Sequence, residues 1–166
     1  MEIMKVDDSE GIAKVVSLAR EIWHQHFIPI IGKDQVEYML AKFQSESSIA
    51  LQIQSGWQYY LACCGDHFAG YTGLVPDKDN KRLMLSKLYV RRNDRHMGVG
   101  SQFLQFIDQQ CRMDGFDVIW LTVNRHNHDT IDWYHRHDFV TVDEVKKDIG
   151  DGYFMDDFVM EKRISF

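Results

Sequence analysis

The stretch Arg95-His96-Met97-Gly98-Val99-Gly100 decides the fold of this chain, because it joins a strand-like run to a helix-like run. The strand-like run extends from Leu83 to Val90, and the helix-like run from Val99 to Met113. The first turn of a helix carries backbone N–H groups without a partner in the helix, and the helix dipole favours negative charge there. Gly98 and Gly100 allow a phosphate to approach the main chain, and Arg95 can neutralise it. The sequence therefore predicts a pyrophosphate-binding turn.

This turn matches neither of the two standard nucleotide signatures. The P-loop sequence is absent, and Phe103 occupies the third glycine position of the dinucleotide-binding motif. Support comes from downstream, where Asn127 and Tyr134 are seven residues apart. On a helix this spacing places the amide and the phenol on one face. We expect that face to point into the same groove as the turn.

The run Leu85-Ser86-Lys87-Leu88-Tyr89-Val90, then Arg95-x-x-Gly98-x-Gly100, then Asn127, Tyr134 and Phe139, resembles the Gcn5-related N-acetyltransferase (GNAT) superfamily. The resemblance implies a single α/β (α+β) domain with a mixed, mostly antiparallel central sheet. It implies roughly six to seven strands and about four flanking helices. It also implies an enzyme that transfers the acetyl group of acetyl-CoA, its cosubstrate, to a primary amine by direct attack and without a metal.

Roles for single residues follow from the same resemblance. Main-chain groups of Leu88 and Val90 would pair with the pantetheine arm of acetyl-CoA, and Asn127 would bond the same region. Tyr134 would be the general acid that protonates the departing thiolate, and a main-chain amide near Leu88 would stabilise the oxyanion. The expected acetyl-CoA-binding residues are Leu88, Tyr89, Val90, Arg95, His96, Met97, Gly98, Val99, Gly100, Ser101 and Asn127.

One position departs from the family pattern. Such proteins usually carry Gly before the Phe that follows the helix of the proposed catalytic tyrosine, here Tyr134. In this chain that residue is Asp138. Asp tolerates turn conformations better than most residues do, so we expect the helix end to be kept.

The general base is left open by the sequence. Related folds build the acceptor pocket from the first two helices and their loop, and no carboxylate is present on Leu83 to Val90. Water relayed through several groups is an equal alternative to a side chain. The titratable side chains in the first two helices are Glu21, His24, His26, Glu37 and Tyr38.

Histidines near the tyrosine helix suggest a metal site at first sight. Their spacing is poor for chelation from a helix, and no Cys or carboxylate completes a tetrahedral set. We therefore expect no metal to be bound by His126, His128, His135 and His137.

Two adjacent carboxylates lie on the last predicted strand. One of Asp156 and Asp157 should face solvent, and the other should be paired, with Arg as the favoured partner, or should lie beside a cleft. The segment Gly152 to Glu161 resembles the last strand of acetyltransferases similar to the polyamine-acetylating group.

Composition limits the class of partner. The formal net charge of −6 argues against nucleic acid and agrees with a cationic amine. No apolar run approaches the ~20 residues that span a bilayer, and Met1 to Lys5 lacks the organisation of a secretory signal, so we expect a cytoplasmic protein without membrane attachment. Cys63, Cys64 and Cys111 read as reduced core residues. A homodimer agrees with the sequence, although no motif requires one.

Periodicity and turn residues predict one domain over residues 1–166. A capping box formed by Asp7 and Glu10 should begin the first helix, which should end before Pro29, and Asp34 should cap the second. A further short helix is expected over Ile49 to Gln54. The expected strands are Met1 to Val6, Trp57 to Cys64, His67 to Val75, Arg82 to Val90, Phe116 to Val123, Phe139 to Lys147 and Tyr153 to Lys162.

Three alternatives stay open. An acyl-CoA-binding sensor without catalysis would keep the phosphate turn, although a pure binder needs no proton donor at Tyr134. An acetyltransferase that acts on a protein N-terminus or a lysine differs only in its acceptor pocket. An RNA-directed acetyltransferase would need a basic groove, which the net charge disfavours.

Overall fold

The computed structural model describes all residues from Met1 to Phe166. The chain forms seven strands and six helices, and a 3-10 turn covers Arg92–Asp94. The strands are Glu2–Val6 (β1), Gln58–Cys64 (β2), His67–Asp77 (β3), Arg82–Val90 (β4), Val118–Asn124 (β5), Val140–Gly150 (β6) and Tyr153–Arg163 (β7). The helices are Ser9–His26 (α1), Ile28–Ile31 (α2), Lys33–Phe43 (α3), Glu46–Gln54 (α4), Val99–Asp114 (α5) and His128–His135 (α6).

The strands form one sheet in the order β1-β2-β3-β4-β5-β7-β6. Strands β4 and β5 pair in parallel, with Arg82 opposite Val118. The pairings of β1 with β2, β2 with β3, β5 with β7 and β6 with β7 are antiparallel. The predicted α/β fold with a mixed, mostly antiparallel sheet is therefore confirmed.

Two compact units are distinguishable within the chain. Unit 1 consists of Met1–Val75 and Ser86–Ile107, and unit 2 consists of Pro76–Leu85 and Asp108–Phe166. The boundaries fall inside β4 and inside α5, so each of these elements contributes residues to both units.

Unit 1 has its core between the sheet and α1, α3 and α4. Helix α1 buries one side, and α3 and α4 add further apolar side chains. Burial of such side chains is the main favourable term in folding, at about 25 cal/mol for each Å² of apolar surface. The buried helical residues are Val15, Leu18, Ala19, Ile22, Trp23, Val36, Met39, Leu40 and Ile49.

Unit 2 has its core around β5. Ile119 and Leu121 of β5 are buried, as are Met160 of β7 and Ile131 of α6. The β6–β7 hairpin turns at Asp151-Gly152, where φ is 54° and 77°. These left-handed residues match the right-handed strand twist of a tight hairpin.

Several local predictions are wrong in detail. Asp8 rather than Asp7 caps α1, since its side chain accepts from the Gly11 N–H at 2.7 Å. Gly32 stands at the N-cap of α3, and Asp34 lies in the first turn. Helix α1 ends at His26, before Pro29 as predicted, but the short helix α2 that follows was not predicted; Pro29 lies in its first turn, where Pro is tolerated.

The cysteines also depart from expectation. Cys111 is buried. Burial is the main cause that raises the pKa of its thiol to about 12, and the negative charges of Asp108 and Asp114 add to the effect. Cys63 and Cys64 are half-buried at the end of β2, so they are not core residues. All three are free thiols. None of the helices combines the length and hydropathy required to cross a bilayer.

Candidate active site

The end of β4 is fixed against β3 within unit 1. The Arg91 N–H donates to the Ala69 carbonyl at 2.8 Å, and the Thr72 hydroxyl donates to the Lys87 carbonyl at 2.7 Å. Within unit 1, these last residues of β4 are the strand segment next to β3. Leu88 and Val90 are half-buried there, so their main chain lies near the surface of the unit.

Close approach of β3 to β4 explains a glycine that the sequence analysis overlooked. A Cβ atom on Gly70 would lie 2.3 Å from the Tyr89 carbonyl oxygen. An isolated glycine in a strand pattern often marks such an approach, so the signal was present in the sequence.

The predicted phosphate turn adopts a backbone that favours glycine. Gly98 has φ of 80° and His96 has φ of 68°, both in the left-handed region. His96, Met97 and Gly98 are exposed, whereas Val99 is buried and anchors the first turn of α5. The Gln102 N–H donates to the Gly98 carbonyl at 2.9 Å as the helix begins. The stretch therefore places a helix N-terminus at the surface of unit 1, beside Arg95.

Arg95 ties the turn to the strand that precedes it. Its Nε donates to the Val90 carbonyl at 3.2 Å, and its Nη1 lies 3.5 Å from His26 Nδ1. Partial burial lowers the pKa of Arg95 from its ordinary value, and the positive charge of Arg92 lowers it further. An anion at the turn would offset both effects, because it would replace lost hydration and neutralise charge.

A hydrogen bond between Asp94 and His67 supports the same turn. Asp94 is 6% exposed, and one of its carboxylate oxygens lies 2.8 Å from His67 Nε2 at the start of β3. A buried carboxylate needs such a partner, so this contact fixes the 3-10 turn before Arg95. Sequence reasoning missed it because 27 residues separate the two side chains.

The predicted acceptor-side residues already contact other charged or polar side chains. Glu21 bonds Arg91 at 2.8 Å, and Tyr38 accepts from Lys42 at 3.2 Å. His24 forms a short hydrogen bond with Glu37, and this bond outweighs burial and lowers the pKa of Glu37. Each of these side chains would have to exchange a partner before it could take a proton from an amine.

Aromatic side chains pack against β4 in unit 1. The Tyr89 ring centroid lies 5.6 Å from that of Trp23, 5.9 Å from Phe27 and 5.4 Å from Tyr71. The Tyr71 hydroxyl donates to Gln44, and burial raises the pKa of Tyr71. This packing holds the half-buried Tyr89 side chain within unit 1.

In unit 2, the end of β5 prepares the start of α6. The Asn124 side chain accepts the His126 N–H at 2.9 Å, and its carbonyl accepts the Asn127 N–H at 2.9 Å. Asn127 stands at the N-cap of α6 and is 5% exposed. Asn127 makes no side-chain capping bond to this helix.

Tyr134 lies on the same buried side of α6 as Asn127. It is 6% exposed, and its ring packs 5.1 Å from Trp133 and 5.2 Å from Phe139. Ile131 and Tyr134 are the buried residues of α6, and Asn127 at its N-cap is buried as well; that Asn127 and Tyr134 point into one groove stays a prediction. Burial raises the pKa of Tyr134, which keeps the phenol protonated.

Asp138 takes the conformation expected of the glycine it replaces. Its φ is 68°, and the Phe139 N–H reaches back to the Tyr134 carbonyl at 3.1 Å. This contact is the one that ends a helix through a left-handed residue. The expectation that the helix end survives Asp at this position is confirmed.

The two carboxylates of β7 have different surroundings. Asp156 lies 2.8 Å from Arg125, which also contacts Glu144 at 3.1 Å. Asp157 is 4% exposed and is hydrogen-bonded to Thr122; burial, the largest effect, raises its pKa to about 6. The arginine therefore pairs with the more exposed carboxylate, whereas the sequence had favoured it for the buried one.

The histidines near α6 serve local structure. His135 Nδ1 lies 3.1 Å from the Phe139 carbonyl, and His137 Nδ1 lies 2.8 Å from the Trp133 carbonyl. The rings of His126 and His128 are 6.4 Å apart. No group of three or more His, Cys, Asp or Glu side chains is arranged to hold a metal ion.

Comparison with known proteins identifies relatives over most of the chain. A model of the acetyltransferase (GNAT) family matches residues 18–139. An uncharacterized N-acetyltransferase in the pepI 3′ region of Lactobacillus delbrueckii subsp. lactis is 25% identical over 175 residues, which cover 99% of this chain and 98% of that protein.

Solved structures share the fold at lower identity. The PaiA N-acetyltransferase from Thermoplasma acidophilum, in complex with coenzyme A, superposes with a TM-score of 0.80 at 21% identity, over 98% of this chain and 99% of that one. The ribosomal-protein-S18-alanine N-acetyltransferase from Escherichia coli has a TM-score of 0.74 at 13% identity, over 99% and 94%.

Proposed function

This chain belongs to the acetyltransferase (GNAT) family, and from that premise we propose that it acetylates a small primary amine, with a polyamine as the favoured acceptor. Acetyl-CoA is the acyl donor. The observation that carries the proposal is the exposed turn between β4 and α5, with left-handed His96 and Gly98 and with Arg95 at its base.

Residues 95–101 hold the pyrophosphate in this proposal. The N–H groups of the first turn of α5 and the Arg95 guanidinium supply donors, which suits a doubly charged anion. Main-chain groups of Leu88, Tyr89 and Val90 pair with the pantetheine arm, much as a neighbouring strand would. Asn127 bonds the same arm from the start of α6.

Transfer then needs one proton donor and one proton acceptor. The amine nitrogen attacks the thioester carbonyl carbon, the carbon–sulfur bond breaks, and the sulfur receives the proton of the Tyr134 hydroxyl. Burial keeps that hydroxyl protonated, and the same low polarity makes a thiolate beside it more basic. The proton of the amine leaves through water or through one of the paired side chains of α1 and α3.

The acceptor class rests on charge. A chain with a net charge of −6 attracts a cationic amine and disfavours a polyanionic acceptor such as RNA. Acetylation of a protein N-terminus or a lysine is the alternative within the family, and the Escherichia coli structural relative is named for a protein acceptor, an alanine of ribosomal protein S18. A sensor that binds acyl-CoA without transfer is the alternative outside catalysis.

The proposal is tested by the release of free CoA thiol from acetyl-CoA over a panel of polyamines, amino acids, aminoglycosides and N-terminal peptides. We expect release above the background without amine, and the largest release with polyamines. Acetyl-CoA binding is measured on the same preparation by calorimetry. Binding without release for any acceptor would favour the sensor, and release with peptides alone would replace the polyamine assignment.

A further inference from the structure

The outer strand of unit 2 is long and uncovered. Strand β6 has eleven residues and pairs with β7 on one side only, because it stands at the end of the sheet. Residues 140–148 are all exposed, including Val140 at 58%, Val142 at 49% and Val145 at 38%. The strand at the other end of the sheet, β1, has only five residues.

An edge of this kind is a template for another strand. Every second residue of an antiparallel strand directs its N–H and C=O away from the existing neighbour, and those groups are left for water or for a new partner. Proteins usually protect such edges with proline, a bulge or unmatched charge. Strand β6 has a bulge near Thr141 and is regular from Asp143 to Asp148.

The charges on this regular segment are arranged symmetrically. Residues Asp143-Glu144-Val145-Lys146-Lys147 consist of two acids, an apolar centre and two bases. Asp143 accepts only the N–H of the next residue, and Lys147 makes no ion pair in the chain.

We propose that β6 pairs antiparallel with β6 of a second copy, about a two-fold axis that passes through Val145. An axis perpendicular to the sheet keeps each side chain on its own face, so one residue must lie opposite itself. With Val145 at the axis, Asp143 lies opposite Lys147 of the second copy. Glu144, which also contacts Arg125 of its own chain at 3.1 Å, lies opposite Lys146.

Neighbouring registers do not achieve this match. With Lys146 at the axis, Glu144 would face Asp148, which is repulsive, and with Glu144 at the axis, Asp143 would face Val145. The Val145 register gives two opposite-charge pairs on each side of the axis, and such cross-strand pairs stabilise a sheet while like pairs weaken it. It also brings the exposed Val145 side chains together, which removes apolar surface from water.

Charge reversal at Asp143 and Lys147 tests the pairing, because neither residue has an ion-pair partner within the chain. We expect sedimentation equilibrium to show a dimer. Asp143→Lys alone or Lys147→Asp alone places like charges opposite each other twice per dimer. Each should raise the dimer dissociation constant by about tenfold or more. The double variant exchanges the two charges and should return the constant to within about threefold of the original value.

Controls with the same charge change are available on an exposed turn outside β6. Asp79→Lys and Lys78→Asp should leave the dissociation constant unchanged, and thermal melts monitored by circular dichroism establish that every variant is folded. A chain that stays monomeric at about 100 μM, or a dimer that both single reversals leave intact, would overturn the proposal. So would a double variant that remains as weak as the single ones.

Discussion

At the scale of single residues, Tyr134 has a proposed role that can be separated from binding. We expect Tyr134→Phe to lower kcat by about a hundredfold, because the leaving thiolate would take its proton from water instead. The ring and its contacts with Trp133 and Phe139 are kept, so acetyl-CoA affinity should change by less than about twofold. Steady-state thiol release together with calorimetry measures the two quantities.

A matched control is Tyr60→Phe, which removes the hydroxyl of another buried tyrosine, hydrogen-bonded to Gln58 in unit 1. It should leave kcat near the original value. If Tyr134→Phe were equally active, Tyr134 would not be the acid.

Asp157 is a residue whose burial should show in the stability of the protein. Its folded pKa of about 6 exceeds the ordinary 3.8, so the chain is favoured with the carboxyl protonated. The folded protein is therefore most stable below about pH 4, where the Asp157 carboxyl is protonated. It loses stability as the pH rises through about 6 and the buried carboxyl becomes charged. Asp157→Asn should therefore raise the free energy of unfolding at pH 7.5 by about 1–2 kcal/mol, and the gain should shrink toward pH 4.

Urea denaturation at several pH values measures this difference. Asp156→Asn is the control, since it loses a half-exposed ion pair with Arg125 and should destabilise by at most about 1 kcal/mol. A gain from Asp157→Asn that did not depend on pH would contradict the assignment of burial as its cause.

At the scale of elements, the contact of β3 with β4 depends on a missing side chain. Gly70→Ala would put a methyl group 2.3 Å from the Tyr89 carbonyl oxygen, and neither backbone can move without breaking strand pairing. We expect destabilisation of about 2–4 kcal/mol and weaker acetyl-CoA binding, because the displaced main chain is the one proposed to meet pantetheine. Denaturant melts and calorimetry measure the two effects.

Gly73→Ala on the same strand is the control. Its new methyl group would meet the Tyr59 ring at 3.2 Å, and a ring edge can shift by a few tenths of an ångström. Its cost should be clearly smaller. Equal costs for the two variants would show that the Tyr89 carbonyl is not the cause.

Elements with strong local signals were predicted well from the sequence. The limits of β4 were predicted to the residue, and α5 was predicted to begin at Val99, because a glycine turn separates a strand period from a helix period. Helix α2 was missed, since Pro29 reads as a stop although it can also begin a helix. The cap of α1 was placed one residue early because Asp7 and Asp8 are adjacent and equally suited.

The surroundings of the candidate site were less predictable for a different reason. The residue types at Tyr134 and Arg95 are visible in the sequence, but the partners of Glu21 and Asp94 lie far along the chain, at Arg91 and His67. Pairing of this kind depends on tertiary packing, which periodicity does not encode.

At the scale of the whole molecule, two buried charges should shape the dependence of stability on pH. Lys87 is 7% exposed, with its ammonium 4.6 Å from the Trp57 ring and 5.5 Å from the Tyr59 ring, and burial lowers its pKa to about 8. As the pH rises from about 8 toward the pKa of lysine in the unfolded chain, Lys87 loses its charge and the protein becomes more stable. Deprotonation of Asp157 has the opposite effect. Between the folded pKa of Asp157, about 6, and that of Lys87, about 8, both buried groups are charged. The stability of the protein should therefore pass through a shallow minimum around pH 6 to 8.

Lys87→Met tests the alkaline side of this minimum. We expect the free energy of unfolding to rise by about 1–2 kcal/mol at pH 7. The gain should vanish near pH 10.5, because a neutral lysine no longer carries the cost of burying a charge. Urea denaturation at both pH values measures it. Lys78→Met, at an exposed turn, should change stability by less than about 0.5 kcal/mol at either pH, and a Lys87→Met gain that persisted at pH 10.5 would exclude charge burial as its origin.

The left-handed backbone at Asp138 also bears on how chains of this kind diverge. What the helix end requires there is a dihedral angle, and Gly and Asp both provide it, although Asp does so with some strain. Codons for glycine and aspartate differ by a single base, so one mutation exchanges them while the Phe139 N–H keeps its contact with the Tyr134 carbonyl. The position can therefore drift in evolution without loss of the tyrosine helix, and its descent is better traced through conformation than through residue identity.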